Sequence, residues 1–486
     1  MPRPDGELTE QVDRATWMVA GTVMLGSVMS IVDTTVVNVA LHDLARDFGV
    51  SITEVHWVAS GYLLALAIAI PLAGWASERF GAKRVWMTSV ALFLAGSMLA
   101  GFSWSLDSLI AFRLLQGFGG GMITPVGMSM LARAAGPGRL GRVMSVIGIA
   151  QLIGPVLGPV LGGLLIEGPG WRWIFYVNVP VGVLALMLAT RTLPTDRPEP
   201  CESLDVRGFA LLSPGLAALV FGLGETSGAG GFGDPRAVAS IVAGIALLAA
   251  FVVHAHRVPN PLIDVRLLQK RAFAASAGTT FLLATSLYGA MFLLPLYFQV
   301  ARGLGPAEAG LMLAPQGLGA AIMIPLAGRL TDRIGPGRVV LPGLTLMVLG
   351  TLPLAWAGAS TSYPLLAGAL VVRGMGLGAS MMPSQSAAFA TLGRDTGAAH
   401  GTSAINAIQR MGGALGVALV SVVLGHNLSA GGPVAPAFGH TFAWPVVLTV
   451  IAFVPAAFLP RRPAAATPRR GVAPGRDAVA QAAHSG

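Results

Sequence analysis

Long apolar runs separated by short polar stretches extend from about residue 17 to about residue 460. A helix that crosses the hydrocarbon core of a bilayer needs about 20 mostly apolar residues. Fourteen stretches meet that requirement, at about 17–40, 55–76, 85–104, 107–131, 143–166, 173–193, 208–226, 237–256, 275–300, 308–330, 338–358, 363–390, 400–425 and 440–460. The pattern therefore predicts an all-α polytopic membrane protein with fourteen transmembrane helices.

Polar intervals divide these spans into two groups of six and an inserted pair, spans seven and eight. The pair is the weakest part of the pattern, because the Gly-rich stretch 222–236 interrupts it. We predict a cytoplasmic N-terminal segment (1–16), an N-terminal six-helix bundle (17–194), a linker with inserted spans seven and eight (195–257), a cytoplasmic amphipathic linker (258–274), a C-terminal six-helix bundle (275–460) and a disordered cytoplasmic tail (461–486).

Composition supports a membrane protein and excludes several other classes. Hydrophobic residues make up 54% of the chain and charged residues 11%, and the 64 Gly and 33 Pro lie largely within apolar runs. Gly and Pro are commoner in membrane helices than in soluble ones. A soluble enzyme and a disordered protein are therefore disfavoured. The single cysteine, Cys201, excludes an intrachain disulfide and a thiolate metal cluster.

Charge indicates topology and gives no sign of nucleic acid as a partner. With the N-terminus in the cytoplasm, 24 of the 31 Lys and Arg residues fall in cytoplasmic loops and tails, and four fall in outer loops. This asymmetry predicts that both termini are cytoplasmic. Arg113, Arg373 and Arg410 remain inside or near spans. The scattered His residues have no metal-ligand spacing, and no GxxxxGK[ST] motif is present for ATP.

An internal repeat relates the two six-span groups. Gly74-Trp-Ala-Ser-Glu78-Arg79-Phe-Gly81-Ala-Lys-Arg84 is matched 254 residues later by Gly328-Arg-Leu-Thr-Asp332-Arg333-Ile-Gly335-Pro-Gly-Arg338. A second echo relates Gly117-x-Gly119-x-Gly121 to Gly374-x-Gly376-x-Gly378. Two halves related by an axis along the membrane normal produce this pattern.

Five segments in order give the chain a resemblance to a known family. They are Asp33-Thr-Thr-Val-Val-Asn38-Val-Ala-Leu41, the Gly74–Arg84 segment, Arg113-Leu-Leu-Gln116-Gly117, the run from Gly148 to Gly163, and Trp171-Arg-Trp173-Ile-Phe-Tyr-Val-Asn178-Val-Pro180. In these segments the chain resembles the major facilitator superfamily, in its fourteen-helix drug:proton antiporter branch (multidrug efflux permeases of the EmrB and QacA type). The resemblance covers about residues 15–460. It implies the major facilitator fold and export driven by the proton motive force, without a cofactor.

Asp33 and Arg113 are the candidates for proton coupling. Asp33 lies in an otherwise apolar span, where a charge costs roughly 2.5–3.5 kcal/mol on insertion scales, so an intramembrane acid is functional by default. A structural acid at the outer rim is the alternative. Arg113 keeps its proton and favours the charged form of a nearby acid. The resemblance implies proton transfer for both residues, whereas a structural pair or a snorkelling side chain is the alternative for Arg113.

Three further groups of residues complete the expected sites. We assign Asn38, Gln116 and Gln316 to the substrate cavity. The gating loops comprise Gly74, Glu78, Arg79, Gly81, Arg84, Gly328, Asp332, Arg333 and Gly335, whose contacts would form and break as the halves rock. The antiporter motif comprises Gly148, Gly154, Pro155, Gly158, Gly162 and Gly163, which the resemblance links to export rather than uptake. Its physical role, close helix packing, is also the simpler interpretation.

The expected function is a proton-coupled antiporter that exports lipophilic drugs or toxic small molecules across the plasma membrane. A dication would require a second buried carboxylate, so neutral or monovalent cationic substrates are predicted; Glu225, at the outer end of span seven, is interpreted as a rim residue. The alternative on the same fold is a dedicated exporter of one endogenous metabolite, such as an antibiotic, a lipid or a siderophore. Expected partners are the lipid bilayer, the small molecule and protons. An accessory periplasmic or envelope component is a further candidate partner, for which the sequence gives no evidence.

Overall fold

The computed structural model describes residues 13–50, 52–135, 142–143, 158, 161–166, 168–195, 203–226, 233–259, 261–390, 397–429 and 433–462. These residues are helical apart from short connections. The N-terminal half contains α1 (Arg14–Phe48), α2 (Ile52–Ala69), α3 (Leu72–Phe80), α4 (Ala82–Gly101), α5 (Leu106–Ala135), α6 (Trp173–Tyr176) and α7 (Asn178–Thr192). Residues 161–166 are also helical.

The inserted pair and the second half follow in the same order as the predicted spans. The inserted pair is α8 (Val206–Glu225) and α9 (Pro235–Arg257), followed by a 3-10 turn at Val265–Gln269. The C-terminal half contains α10 (Arg271–Leu296) with a π turn at Tyr297–Ala301, α11 (Pro306–Leu311), α12 (Ala314–Ile334), α13 (Pro336–Ala355), α14 (Tyr363–Ala390), α15 (Gly397–Ser429), α16 (Val434–Ile451) and α17 (Phe453–Ala456).

Thirteen of the fourteen predicted spans have a helical counterpart among the described residues. Twelve helical stretches are long and apolar enough to cross a membrane, and α2 with α3 forms a further pair bent by 54°. Pro71, between the two, lacks a backbone N–H and so interrupts the helix. The predicted fifth span, 143–166, lies mostly outside the described residues. Both weak spans, seven and eight, are helices.

The segments predicted as gating loops are mostly helical, so the expectation that they are loops is corrected. Gly74, Glu78 and Arg79 lie in α3, and Arg84 lies in the first turn of α4. In the second copy, Gly328, Asp332 and Arg333 lie in α12. Only Gly81 and Gly335 connect the helices, with φ of 86° and 90°. Glycine adopts positive φ without a steric penalty, so one residue is enough to reverse the chain.

The two halves share the same close helix contacts. A Cβ on Gly117 of α5 would overlap the backbone carbonyl of Tyr62 on α2, and a Cβ on Gly374 of α14 would overlap that of Gln316 on α12. Three more glycines of the N-terminal half have an equivalent in the C-terminal half with the same kind of backbone contact. The pairs are Gly119 against Phe93 with Gly376 against Met347, Gly121 against Leu66 with Gly378 against Ala320, and Gly96 against Gln116 with Gly350 against Arg373. The packing therefore carries the same repeat as the sequence, with Tyr62 equivalent to Gln316 and Gln116 equivalent to Arg373.

Gly374→Ala is expected to destabilise the protein, whereas Gly368→Ala on the same helix is not. The added methyl at residue 374 meets backbone atoms of α12, which cannot rotate away, while nothing lies within 4 Å of a Cβ at residue 368. Overpacking of this kind costs typically about 1–3 kcal/mol. Thermal unfolding of the purified variants, followed by tryptophan fluorescence, measures the difference. Equal unfolding temperatures for the two variants would contradict the close contact.

Buried apolar residues show where the two halves meet. One cluster combines both halves at the end that carries the Gly81 and Gly335 turns. At the opposite end, two separate clusters are each drawn from a single half, one around Val36 and one around Tyr297. Polar contacts agree, since the backbone N–H of Arg142 donates to Asp332 Oδ2 at 3.1 Å. Within the described residues, the halves are therefore joined at the turn-bearing end and separate at the other.

The inserted pair is fixed to the following linker by Asp205. This residue precedes α8 and accepts hydrogen bonds from the N–H groups of Gly208 (2.8 Å) and Leu262 (3.3 Å), with His254 Nε2 at 2.8 Å. Burial raises the pKa of Asp205, but these hydrogen bonds outweigh burial and hold the pKa below its ordinary value. Residues 261–269, within the linker 258–274 that is predicted to be amphipathic, dock against the protein, with Leu262 and Leu267 buried.

Candidate functional site

Asp33 and Arg113 form a buried ion pair inside the N-terminal half. Asp33 lies just past the middle of α1, and Arg113 lies in the second turn of α5. Arg113 Nη1 donates to Asp33 Oδ2 at 2.6 Å, and the two side chains are 1% and 0% exposed. The distance is that of a charge-assisted hydrogen bond. The structure thus brings together the two residues that the sequence predicts for proton coupling.

Two amides complete the hydrogen bonding of the Asp33 carboxylate. Gln116 Nε2 donates to Asp33 Oδ1 at 2.9 Å, and Gln116 Oε1 accepts from Arg113 Nη1 at 2.7 Å. Asn178 Nδ2 on α7 donates to the same Oδ1 at 3.0 Å. Arg113 and Gln116 share one face of α5 because residues three apart are neighbours on a helix. Two helices, α5 and α7, therefore supply three donors to one carboxylate on α1.

A second layer of contacts holds the donors in place. Ser97 Oγ on α4 donates to the carbonyl of Phe175 at 2.8 Å and lies 3.0 Å from Asn178 Nδ2, which donates to it. Arg113 Nε donates to the carbonyl of Val58 at 3.1 Å, where the backbone of α2 approaches α5. The guanidinium carbon lies 4.1 Å from the ring centroid of Tyr62. This stacking is a cation–π contact, which is stronger between buried groups than between exposed ones.

The arrangement is that of an ionised carboxylate. Asp33 accepts three hydrogen bonds, two at Oδ1 from Gln116 and Asn178 and one at Oδ2 from Arg113. Protonation of Asp33 would remove the negative charge and so weaken its bond to Arg113. Arg113 keeps two acceptors when that happens, Gln116 Oε1 and the Val58 carbonyl. The site can consequently couple the gain of a proton to a rearrangement of α1 against α5.

The three residues expected in the substrate cavity lie in different surroundings. Gln116 belongs to the ion-pair network and is fully buried. Gln316 lies in the first turn of α12 and accepts from Arg373 Nη1 on α14, in the other half. Asn38 is in α1, but its side chain lies outside the described residues. The role of these residues in binding a substrate remains a prediction.

Only part of the antiporter motif is described. Gly148, Gly154 and Pro155 lie outside the described residues. A Cβ on Gly158 would overlap Thr35 of α1, whereas nothing lies within 4 Å of a Cβ on Gly163, and Gly162 is buried. Gly158 therefore permits close packing on α1, two residues after Asp33, as the small-residue interpretation expects.

Sequence reasoning missed Asn178, Ser97 and Tyr62. Asn178 had a detectable signal, because it is an amide at the start of an apolar span and belongs to one of the five resemblance segments. Ser97 and Tyr62 gave no comparable signal, since both lie in apolar runs of ordinary composition. Their function depends on which helix faces meet, and that is a property of the tertiary fold.

Comparison with known proteins decides the family. The sequence profile of the Major Facilitator Superfamily matches residues 23–417 and 276–483. The chain belongs to this superfamily. It is 46% identical over 423 residues to the multidrug resistance protein B homolog of Mycobacterium tuberculosis strain H37Rv, covering 86% of this chain and 78% of that protein. It is 31% identical over 425 residues to the putative multidrug resistance protein MdtD of Shigella sonnei, covering 86% and 88%.

The fold has solved counterparts. The human organic anion transporter MFSD10 (TETRAN) superposes with a TM-score of 0.63 at 18% identity, covering 91% of this chain and 99% of that one. At this identity the likeness shows the fold alone. The chain is therefore a multi-pass membrane transporter of the major facilitator superfamily, and the family confirms the expectation of a transporter rather than an enzyme.

Proposed function

We propose that this transporter is a drug efflux protein of the plasma membrane, exporting lipophilic drugs or toxic small molecules from the cytoplasm in exchange for protons. The two relatives named for multidrug resistance support the cargo class. The observation that supports proton coupling is the buried ion pair of Asp33 and Arg113. A buried acid held by a movable set of donors is the component that proton exchange requires.

The direction of coupling follows from the conformation and the predicted topology. With both termini in the cytoplasm, the joined end of the halves is cytoplasmic and the separate end faces outward. Asp33 pairs with Arg113 in this outward-facing state, and we propose that the next event is protonation from outside. A proton and a drug can drive opposite transitions only if they prefer different states. We propose that protonated Asp33 favours the inward-facing state, which then takes up drug from the cytoplasm.

Substrate charge is limited by the single buried acid. Asp33 is the only Asp or Glu among the buried polar residues of the described structure, and Arg113 already neutralises it. A dication would find no free carboxylate there. We propose neutral or monovalent cationic substrates, of which neutral lipophiles fit best while the ion pair is intact.

Proteoliposomes that contain the purified protein test the proposal. An outward-directed proton gradient across the vesicle wall should drive uptake of a neutral lipophilic dye, and an ionophore that collapses the gradient should abolish it. Addition of the dye without an imposed gradient should in turn move protons, recorded by a trapped pH indicator. Antiport would be rejected if dye uptake is independent of the proton gradient and addition of the dye moves no protons.

A further inference from the structure

A second buried arginine, Arg373 in the C-terminal half, has no acid paired with it among the residues that the structure describes. Asp33, Arg113 and Arg373 are the charged side chains buried among the described residues, and two of them form the pair described above. Arg373 is 0% exposed. Between residues 271 and 460 the sequence has only Glu308, Asp332 and Asp395 as acids, and none lies in the interior of a span.

The guanidinium of Arg373 has a free edge. Nη1 donates to Gln316 Oε1, but Nε and Nη2 have no hydrogen-bond partner within the described part of the chain. These two nitrogens form the side of the guanidinium fork that binds both oxygens of a carboxylate at once. A buried polar group without a partner is costly, and a buried charge more so. The site therefore favours a ligand that brings two adjacent anionic oxygens.

The repeat shows that this position can reach a carboxylate. Gln116 is the N-half equivalent of Arg373, since Gly96 and Gly350 pack against their respective backbone nitrogens. Gln116 uses its position to donate to the carboxylate of Asp33. In the C-terminal half the fold supplies a stronger donor at the same position, and no acid among the described residues pairs with it.

We propose that Arg373 is a binding site for a carboxylate group on a lipophilic substrate. Nε and Nη2 would hold the two oxygens, and the apolar surroundings would hold the remainder of the molecule; Leu370, one turn before Arg373, is fully buried. Because the edge is buried in the outward-facing state, a ligand can reach it only in another state of the transport cycle. The inference rests on the proposed efflux function and extends its cargo from neutral compounds to lipophilic organic acids.

Direct binding to the purified full-length chain tests this assignment. The probes are 1-pyrenebutyrate and its neutral methyl ester, followed by pyrene fluorescence. The wild type should bind the carboxylate at least about tenfold more tightly than the ester, because only the carboxylate can accept both hydrogen bonds and neutralise the charge. Arg373→Gln should reduce this ratio to near one. Arg373→Lys should fall between, because lysine keeps the charge and loses the fork.

Two further variants keep the result interpretable if Arg373→Gln folds poorly. Gln316→Glu supplies an internal carboxylate to Arg373, so it should remove the preference for pyrenebutyrate while leaving the arginine in place. Arg329→Gln, an exposed arginine on the same helix as Gln316, should keep the wild-type ratio. A preference that survives both Arg373→Gln and Gln316→Glu would overturn the assignment.

Other outcomes separate this inference from the efflux proposal. If sodium acetate competes with pyrenebutyrate at equal concentration, the site is a general anion site and the lipophilic assignment is overturned. If the wild type shows proton-driven dye transport but binds acid and ester equally, the inference fails and the efflux proposal stands. If proton-driven transport is absent while the carboxylate preference depends on Arg373, the binding site stands and antiport fails.

Discussion

Asp33→Asn is expected to abolish proton-driven transport and to leave substrate exchange intact. Asparagine keeps the size of the side chain and can still accept from Arg113, but it cannot gain or lose a proton. In proteoliposomes, uptake driven by a proton gradient should fall to the level of vesicles without protein. Exchange of labelled for unlabelled substrate at equal pH should continue, because that reaction needs no net proton movement.

Asp43→Asn provides the matched control for this result. Asp43 lies on the same helix as Asp33 but pairs with Arg46 at the surface, at 2.9 Å. This variant should transport at the wild-type rate. Gradient-driven uptake by Asp33→Asn at more than about half of the wild-type rate would remove Asp33 from the proton pathway. The carrier would then have to be sought among acids outside the buried set.

Arg113→Gln is expected to cause the largest loss of stability of any single charge change in the molecule. It leaves the Asp33 carboxylate buried without its counter-charge, and removal of one partner of a buried pair costs roughly 3–5 kcal/mol. Arg172→Gln should cost less than about 1 kcal/mol, because Arg172 and Asp47 lie 3.4 Å apart with both side chains nearly half exposed. Chemical denaturation of the purified variants in detergent measures both losses.

The double variant separates structural from functional roles of the pair. Asp33→Asn combined with Arg113→Gln removes both charges, so most of the stability lost by Arg113→Gln should return. Proton-driven transport should remain absent, because the titratable group is gone. A double variant as unstable as Arg113→Gln alone would mean that Arg113 stabilises the half through Val58 and Tyr62 rather than through Asp33.

Features that depend on composition and local spacing could be predicted from the sequence. Apolar length predicts the spans, and the offset of 254 residues between Gly74 and Gly328 predicts a repeat that the glycine contacts of both halves display. Asp33 and Arg113 could be predicted because a charge in an apolar run has few non-functional explanations. Contact between the two could also be expected, because each buried charge requires a partner of opposite sign. The distance of 2.6 Å between Arg113 Nη1 and Asp33 Oδ2 agrees with this expectation.

Features that depend on which helix faces meet could not be predicted. Asn178 joins Asp33 only because α7 packs beside α1, and no spacing within either helix encodes that contact. The gating segments are predicted as loops because charged residues and glycines cluster in them. In the structure, a single glycine at positive φ makes each turn. The free edge of Arg373 could not be predicted either, since it depends on which acceptors the neighbouring helices bring to the guanidinium in the described structure.

The glycine contacts restrict how this transporter can change shape. At Gly117 and Gly374, one helix rests directly on the main chain of another, so neither pair can slide by a fraction of a turn without a steric clash. Each half must then move as a nearly rigid block. Deformation is confined to helix contacts that lack a glycine packed on a backbone. A cross-link that is meant to lock one state should therefore join the two halves, near the contact of Arg142 with Asp332. A cross-link within one half would not prevent the change between states.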